Sequence, residues 1–231
     1  MKHSDSGRAR VRGFVLLSSG PIRAFIVGAI LPAFVWWSGP VQANPRGGVV
    51  VHGDVAMQGS GGLLTVRQGS ANAIIDWEHF SIEAGEMTRF IQPGKNAAVL
   101  NRVTGGDLSE IHGSLRANGN VFLINPSGIL VGPGGSIDVH GLVLSTLDLE
   151  NGEFLAGGDM VFKGSSSAGI TNLGRINAIG GDVFLIGRTV TNSGSIHARE
   201  GTVGLAAGEE VLIKAEDGFG GERVYIRATG S

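Results

Sequence analysis

Asn118-Gly119-Asn120-Val121-Phe122-Leu123-Ile124-Asn125-Pro126-Ser127-Gly128-Ile129-Leu130 holds two apolar runs with a hard stop between them. Val121 to Ile124 is an unbroken β-branched and aromatic run, the pattern of a strand buried on both faces or on one tightly packed face. Pro126 fixes φ and lacks an N–H donor, and Gly128 permits φ > 0. Asn125-Pro126-Ser127-Gly128 is therefore read as a type I or II turn. Ile129-Leu130-Val131 then resumes the strand.

The surroundings of this corner repeat. Gly113-Ser114-Leu115-Arg116-Ala117 matches Gly135-Ser136-Ile137-Asp138-Val139, 22 residues on. Gly174-Arg175-Ile176-Asn177-Ala178 and Gly194-Ser195-Ile196-His197-Ala198 match them too and lie 20 apart. The step from Gly135 to Gly174 is 39, close to two periods. A second strand follows three of these starts: Val121-Phe122-Leu123, Val183-Phe184-Leu185 and Val203-Gly204-Leu205. Helical periodicity is absent from these units. Short strands recurring every 20 to 22 residues, with Gly and Asn at the corners, predict an all-β chain wound as a single-stranded parallel β-helix. An antiparallel sandwich is the competing all-β reading, and Asn118-Gly119 and Asn151-Gly152 are hairpin signals. The fixed period favours coils. Dividing the length after residue 43 by the period gives about nine coils, fewer if Asn44 to Val66 forms a cap. Asn172 should stack on Asn192 as an amide ladder. Leu142 to Phe162 is expected to interrupt the repeat, with Asp148 to Glu153 as an exposed turn or a small extra-helical hairpin. Leu108 to Ile111 reads equally as a strand or a helical turn.

Composition supports an ordered, non-collagenous chain. Gly supplies 40 of 231 residues without a three-residue period, 42% are apolar and 16% are charged. The net charge of −2 gives no basic invitation to nucleic acid. With no Cys, disulfides, Cys-ligated zinc and thiol catalysis are excluded. Lys2, Arg8, Arg10, Arg12 and Arg23 precede or border the apolar run Ala24 to Trp37, and Val41-Gln42-Ala43 follows it. This predicts a signal peptide over residues 1–43, cleaved between Ala43 and Asn44. The run is short for a membrane span. Losing its five basic residues and one acid would take the net charge from −2 to −6.

A parallel β-helix can carry polysaccharide lyase or hydrolase activity, so carboxylate pairs deserve a test. Asp76/Glu78 and Asp148/Glu150 have i,i+2 spacing, which puts both carboxylates on one strand face. Each is read as an exposed polar face, and no catalytic residue is assigned. The six His residues show no i,i+4 pair, so no metal site is assigned. Gly132-Pro133-Gly134-Gly135 lacks the Lys-Ser/Thr of a phosphate loop. No Ser sits in a nucleophile elbow, and no cofactor is implied.

Three blocks carry a family resemblance. Val99-Leu100-Asn101-Arg102-Val103-Thr104-Gly105-Gly106, Ser109-Glu110-Ile111-His112-Gly113-Ser114-Leu115 and Ala117 to Ile129 resemble the filamentous haemagglutinin N-terminal domain. This is the secretion (TPS) domain of two-partner-secretion exoproteins of the TpsA type. Trp77 and Phe80 resemble the family's Trp-x-x-Phe segment. The resemblance spans roughly Asn44 to the C-terminus and implies a right-handed parallel β-helix with an N-terminal cap. It implies export by the general secretion machinery, then recognition in the periplasm by a TpsB-type outer-membrane β-barrel transporter through its POTRA domains. The product would be secreted or held at the bacterial cell surface, as part of a haemagglutinin or adhesin. Any host receptor or carbohydrate would be met by regions outside this chain. A secreted carbohydrate-active β-helix enzyme is the alternative. The family's Asn-Pro-Asn-Gly-Ile motif falls on Asn125, Pro126, Ser127, Gly128 and Ile129, with Ser127 departing from Asn. Asn101, Arg102, Val103, Thr104 and Gly105 form the supporting block. The family's upstream Asn-Pro-Asn-Leu motif has no counterpart, since Gln92-Pro93-Gly94-Lys95-Asn96 occupies its region.

Overall fold

Corners at a fixed period stack strands of successive coils, and the chain forms a β-solenoid of about seven turns. The computed structural model describes residues 44–214 and the backbone of Val224 and Tyr225. The signal peptide expected over 1–43 lies outside the described residues.

Three walls enclose the core. Wall one stacks Val49–His52, Asn72–Trp77, Ala98–Val103, Asn120–Ile124, Gly141–Ser145, Val183–Gly187 and Val203–Ala207. Wall two stacks Val55–Ser60, Leu63–Gln68, Met87–Ile91, Ser114–Ala117, Ser136–Val139, Arg175–Ala178 and Ser195–Ala198. Wall three is shorter: Ser109–Ile111, Ile129–Val131, Gly169–Asn172 and Thr189–Asn192. Leu108 to Ile111, open between two readings in the sequence, is thus a strand from Ser109. Pairing within the walls is parallel except at the N-terminal end. There Val49–His52 runs antiparallel to Asn72–Trp77, and Val55–Ser60 antiparallel to Leu63–Gln68. These two strands are the cap, and partly buried Val55 and Met57 pack onto the interior.

The register follows the repeat. Ser114, Ser136, Arg175 and Ser195 stand in one column, and Val121, Leu142, Val183 and Val203 in another. The glycine that starts each unit has a packing reason. A Cβ on Gly194 would run into the carbonyl oxygen of Gly174 one coil below. The Asn172 amide donates to Asn192 Oδ1 at 2.7 Å, as the amide ladder required.

The interruption differs from expectation in three ways. Gly141–Ser145 is a regular rung of wall one, so the excursion begins after Ser145, not at Leu142. Ser136–Val139 pairs directly with Arg175–Ala178, so the 39-residue step is one coil plus the excursion and not two coils. That insertion and the cap explain why the turns number fewer than nine. Third, the excursion is more than a hairpin. Asp148–Leu149 and Met160–Lys163 pair antiparallel around a helix at Asn151–Ala156, and Glu210–Ile213 returns after the last described coil to add a third strand. Val224–Tyr225 adds a fourth. The helix ends at Gly157, whose φ of 66° is the left-handed conformation that stops helices.

This clasp explains the continuous apolar run. Alternation sends Val121 and Leu123 into the solenoid core and Phe122 and Ile124 outward. The outward column Ile74, Leu100, Phe122, Val143 and Phe184 would face water on a bare wall. Instead it packs against Leu149, Phe154, Phe162, Val211 and Ile213 of the clasp. Phe122 and Phe154 meet edge to face with centroids 5.2 Å apart. The rungs of wall one from Asn72–Trp77 to Val183–Gly187 are therefore buried on both faces, and the clasp builds a second core.

Candidate functional site

Asn125 is fully buried at the corner between walls one and three. Its backbone N–H donates to Ser145 O at 2.9 Å, which keeps wall one paired up to the bend. Its side-chain amide donates to Asp107 O at 2.9 Å and to Ser109 Oγ at 2.8 Å. Its Oδ1 accepts from the backbone N–H of Ser127 at 2.8 Å, an Asx turn, and its carbonyl accepts from the Gly128 N–H at 3.0 Å. The sequence-predicted turn is present. The third position contributes its backbone N–H, which Ser supplies as well as Asn; the Ser127 hydroxyl makes no bond among the described residues. Pro126 is exposed, and its carbonyl accepts from Ser166 Oγ at 2.6 Å. Gly128 adopts φ 109°, and a Cβ there would press on Leu108 Cδ1 at 2.9 Å. Ile129 is buried in the core.

The supporting block lies one coil earlier and is in register with the run before the corner: Asn101 faces Leu123, and Arg102 faces Ile124. Asn101 points inward in a column otherwise filled by Ile75, Leu123 and Leu144. It is fully buried, which is tolerable because both ends of its amide are used. Oδ1 accepts from Trp77 Nε1 at 2.9 Å, and Nδ2 donates to Phe122 O at 3.1 Å. Arg102 points outward and ties the clasp to the wall. Its guanidinium donates to Asp148 Oδ1 at 2.9 Å and Leu149 O at 2.8 Å, with Asp76 at 3.5 Å. Val103 is core. Thr104 Oγ1 donates to Trp77 O at 3.0 Å, and a Cβ on Gly105 would run into the Glu78 carbonyl oxygen. Trp77 and Phe80 are both buried and pack edge to face, centroids 5.7 Å apart. The two sequence blocks thus form one interlocked unit over three consecutive coils.

Other participants had no role assigned from the sequence. Asp107 and Ser109 hold the Asn125 amide. At the opposite corner Gln92 donates to Gln68 Oε1 at 3.2 Å, and its own Oε1 accepts from Gly119 N–H at 2.9 Å. Asn118 exchanges two bonds with the Gln92 backbone. The separations of 24 and 26 residues in this stack are close to one coil, and that spacing was the available signal. Asn44, the expected first residue after cleavage, accepts from the buried Thr88 hydroxyl at 3.0 Å. Ala43 lies outside the described residues.

The carboxylates of the two sequence pairs are engaged by neighbouring side chains. Asp76 and Asp148 share Arg102, Glu150 lies 3.8 Å from Lys163, and Glu78 lies 3.6 Å from His79. Each of these four carboxylates thus has a positive or polar partner. Among the described residues no group of three His, Asp or Glu is placed to hold a metal ion.

Comparison with known proteins decides what this geometry belongs to. The family model of the TPS secretion domain matches residues 41–222. The chain belongs to the TPS secretion domain family. A heme/hemopexin-binding protein of Haemophilus influenzae is 37% identical over 186 residues, covering 75% of this chain and 20% of that protein. A second Haemophilus influenzae protein of the same name is 46% identical over 87 residues, covering 38% of this chain and 9% of its own length. The chain therefore spans about a fifth or less of these relatives. The crystal structure of the HMW1 secretion domain from Haemophilus influenzae superposes with TM-score 0.71 at 35% identity, covering 80% of this chain and 50% of that one. The filamentous hemagglutinin secretion domain superposes with TM-score 0.55 at 18% identity, covering 80% and 70%, and shares the fold. These TPS neighbours are secretion domains and not enzymes, which disfavours the carbohydrate-active alternative. TPS domains belong to exoproteins secreted across the outer membrane, which supports a secreted or cell-surface protein.

Proposed function

We propose that this TPS domain directs export of a larger adhesin-type exoprotein and has no catalytic role of its own. Residues 1–43 would engage the general secretion machinery and be removed between Ala43 and Asn44. In the periplasm the domain would meet the POTRA repeats of its TpsB-type β-barrel transporter, pass outward unfolded, and fold at the surface. The family match over residues 41–222 supports the export role, and the burial of Asn125 bears on how its motif acts. Asn125 is inaccessible once the coil forms, so a transporter reads its side chain only before folding, or the motif acts by setting the corner.

Secretion of an Asn125→Ala chain through the co-expressed transporter separates those two roles. Loss of secretion with an unchanged circular dichroism spectrum and melting point favours reading of the unfolded motif. Loss of both favours the structural role. Full secretion of a folded variant would overturn the motif's involvement.

The docking element is proposed to be the cap strand Val49–His52. It is the outermost strand of wall one, with Val49, Val50 and Val51 exposed. A free edge with unpaired backbone groups is suited to strand addition. Val51 lies at the bulge where register with Asn72–Trp77 shifts, so Val51→Pro removes a donor where the ladder is already irregular. POTRA binding by the purified chain should fall sharply in this variant. Unchanged binding would sink the edge-docking proposal while leaving the export role standing.

A further inference from the structure

Alternation sorts each strand of wall two into inward and outward side chains. Three consecutive strands place an exposed arginine outward: Arg67, Arg89 and Arg116. Arg89 stands directly opposite Arg116, and Arg67 lies two residues along from Thr65, which faces Arg89. Like charges directly opposite on neighbouring strands are destabilising. None of the three makes an ion pair among the described residues. The single carboxylate of the line, Asp138, is next in the Arg116 column and pairs with Arg175 at 3.6 Å. Arg102, Lys163, Arg188 and Lys214 each face a carboxylate, while Arg46, Lys95 and Arg199, none of them on these three strands, have no ion pair among the described residues. Three exposed arginines on consecutive strands thus meet one carboxylate, Asp138, which Arg116 shares with Arg175, and the outward face of this part of wall two carries a net positive charge.

The spacing narrows the partner. Strands stack about 4.8 Å apart, so the cations rise along the solenoid axis at roughly the length of one sugar unit. Thr65 and Ser114 set hydroxyls beside them on the same face. The outward positions of these strands hold no aromatic ring, which removes the stacking platform that single-stranded nucleic acid uses. We propose that the outward face of wall two binds a linear acidic polysaccharide, laid along the stacking axis over Arg67, Arg89 and Arg116.

The purified chain is tested by biolayer interferometry against dextran sulfate and polygalacturonate, with neutral dextran and phosphatidylglycerol vesicles as comparison probes. Binding to both acidic polymers is expected, weakening as salt rises. The Arg89→Gln/Arg116→Gln pair should weaken it roughly tenfold, taking a few-fold for each exposed charge contact. Arg89→Lys/Arg116→Lys should keep most of it, and Arg188→Gln should leave it unchanged. Melting curves of all variants separate lost binding from lost fold. The proposal is overturned by no binding to either acidic polymer, by equal binding to neutral dextran, or by binding that ignores the arginine pair. Tighter arginine-dependent binding to the vesicles would also overturn it and assign the face to a lipid surface.

Discussion

Trp77 and Asn101 meet inside the solenoid, indole N–H to amide oxygen at 2.9 Å, on neighbouring rungs of wall one. The bond lets one amide sit in an apolar column, and it fastens the first complete coil to the next. Asn101→Ala strands the Trp77 N–H in the core and removes a side-chain bond to the Phe122 carbonyl. A buried unsatisfied group costs about 1–3 kcal/mol, and a loss of that order is expected. Urea unfolding measures it. Trp77→Phe in the Asn101→Ala background removes the stranded donor as well and should cost less than it does in the parent; a fully additive double variant would contradict the coupling.

The third position of the turn should be indifferent. Ser127→Asn restores the family residue but changes a half-exposed side chain whose backbone N–H does the bonding. Stability is expected to stay within about 0.5 kcal/mol. Gly128→Ala at φ 109° should cost more than about 1 kcal/mol from backbone strain alone, before the contact with Leu108 is counted. Paired denaturation curves check the contrast.

Arg102→Met keeps much of the apolar stem and removes the bonds to Asp148 and Leu149. Hydrogen bonds to charged groups are worth about 1.5–3 kcal/mol, and that is the expected destabilisation. It should be local. Amide exchange should quicken over 148–163 while wall two keeps its protection; uniform quickening would mean the clasp is not held separately.

Acid should reveal Asp138. Burial raises its pKa, but bonds from Asn177 and Ser136 and the charges of Arg175 and Arg116 outweigh it, leaving the value below the usual 3.8. The folded state thus binds this proton less readily than the unfolded chain. The resulting stability is present above the unfolded pKa and is lost as pH falls through the folded one. Asp138→Asn should therefore flatten the decline in urea midpoint below pH 4 relative to the parent. An identical decline would remove Asp138 as a contributor.

Much of the solenoid was readable because its register is the sequence period. Gly174 and Gly194 sit 20 apart and stack; so do Asn172 and Asn192, and the amide ladder followed. The clasp was not readable in detail. Asn151–Ala156 is a six-residue helix, too short to display a helical period, and its first residue is preceded by Glu150, which makes no side-chain cap bond. Its third partner, Glu210–Ile213, lies 50 residues from Met160–Lys163, a pairing that no local pattern announces. At the candidate site, the motif residues were found through the blocks they spell. Asp107 and Ser109, which hold Asn125, were not singled out as its partners, because one serves through a backbone carbonyl and the other through a hydroxyl in a strand too short to stand out.

The return of Glu210–Ile213 to the clasp also orders events in time. A chain emerging N-terminus first completes the rungs around Phe122 long before residue 213 appears. In that interval Met160–Lys163 has one edge open, and Phe162 lacks Val211 opposite it. The second core therefore cannot close coil by coil with the first. Under such emergence it would shut only once the chain beyond Val203–Ala207 is available, so its closure would mark a domain whose preceding rungs have all been delivered.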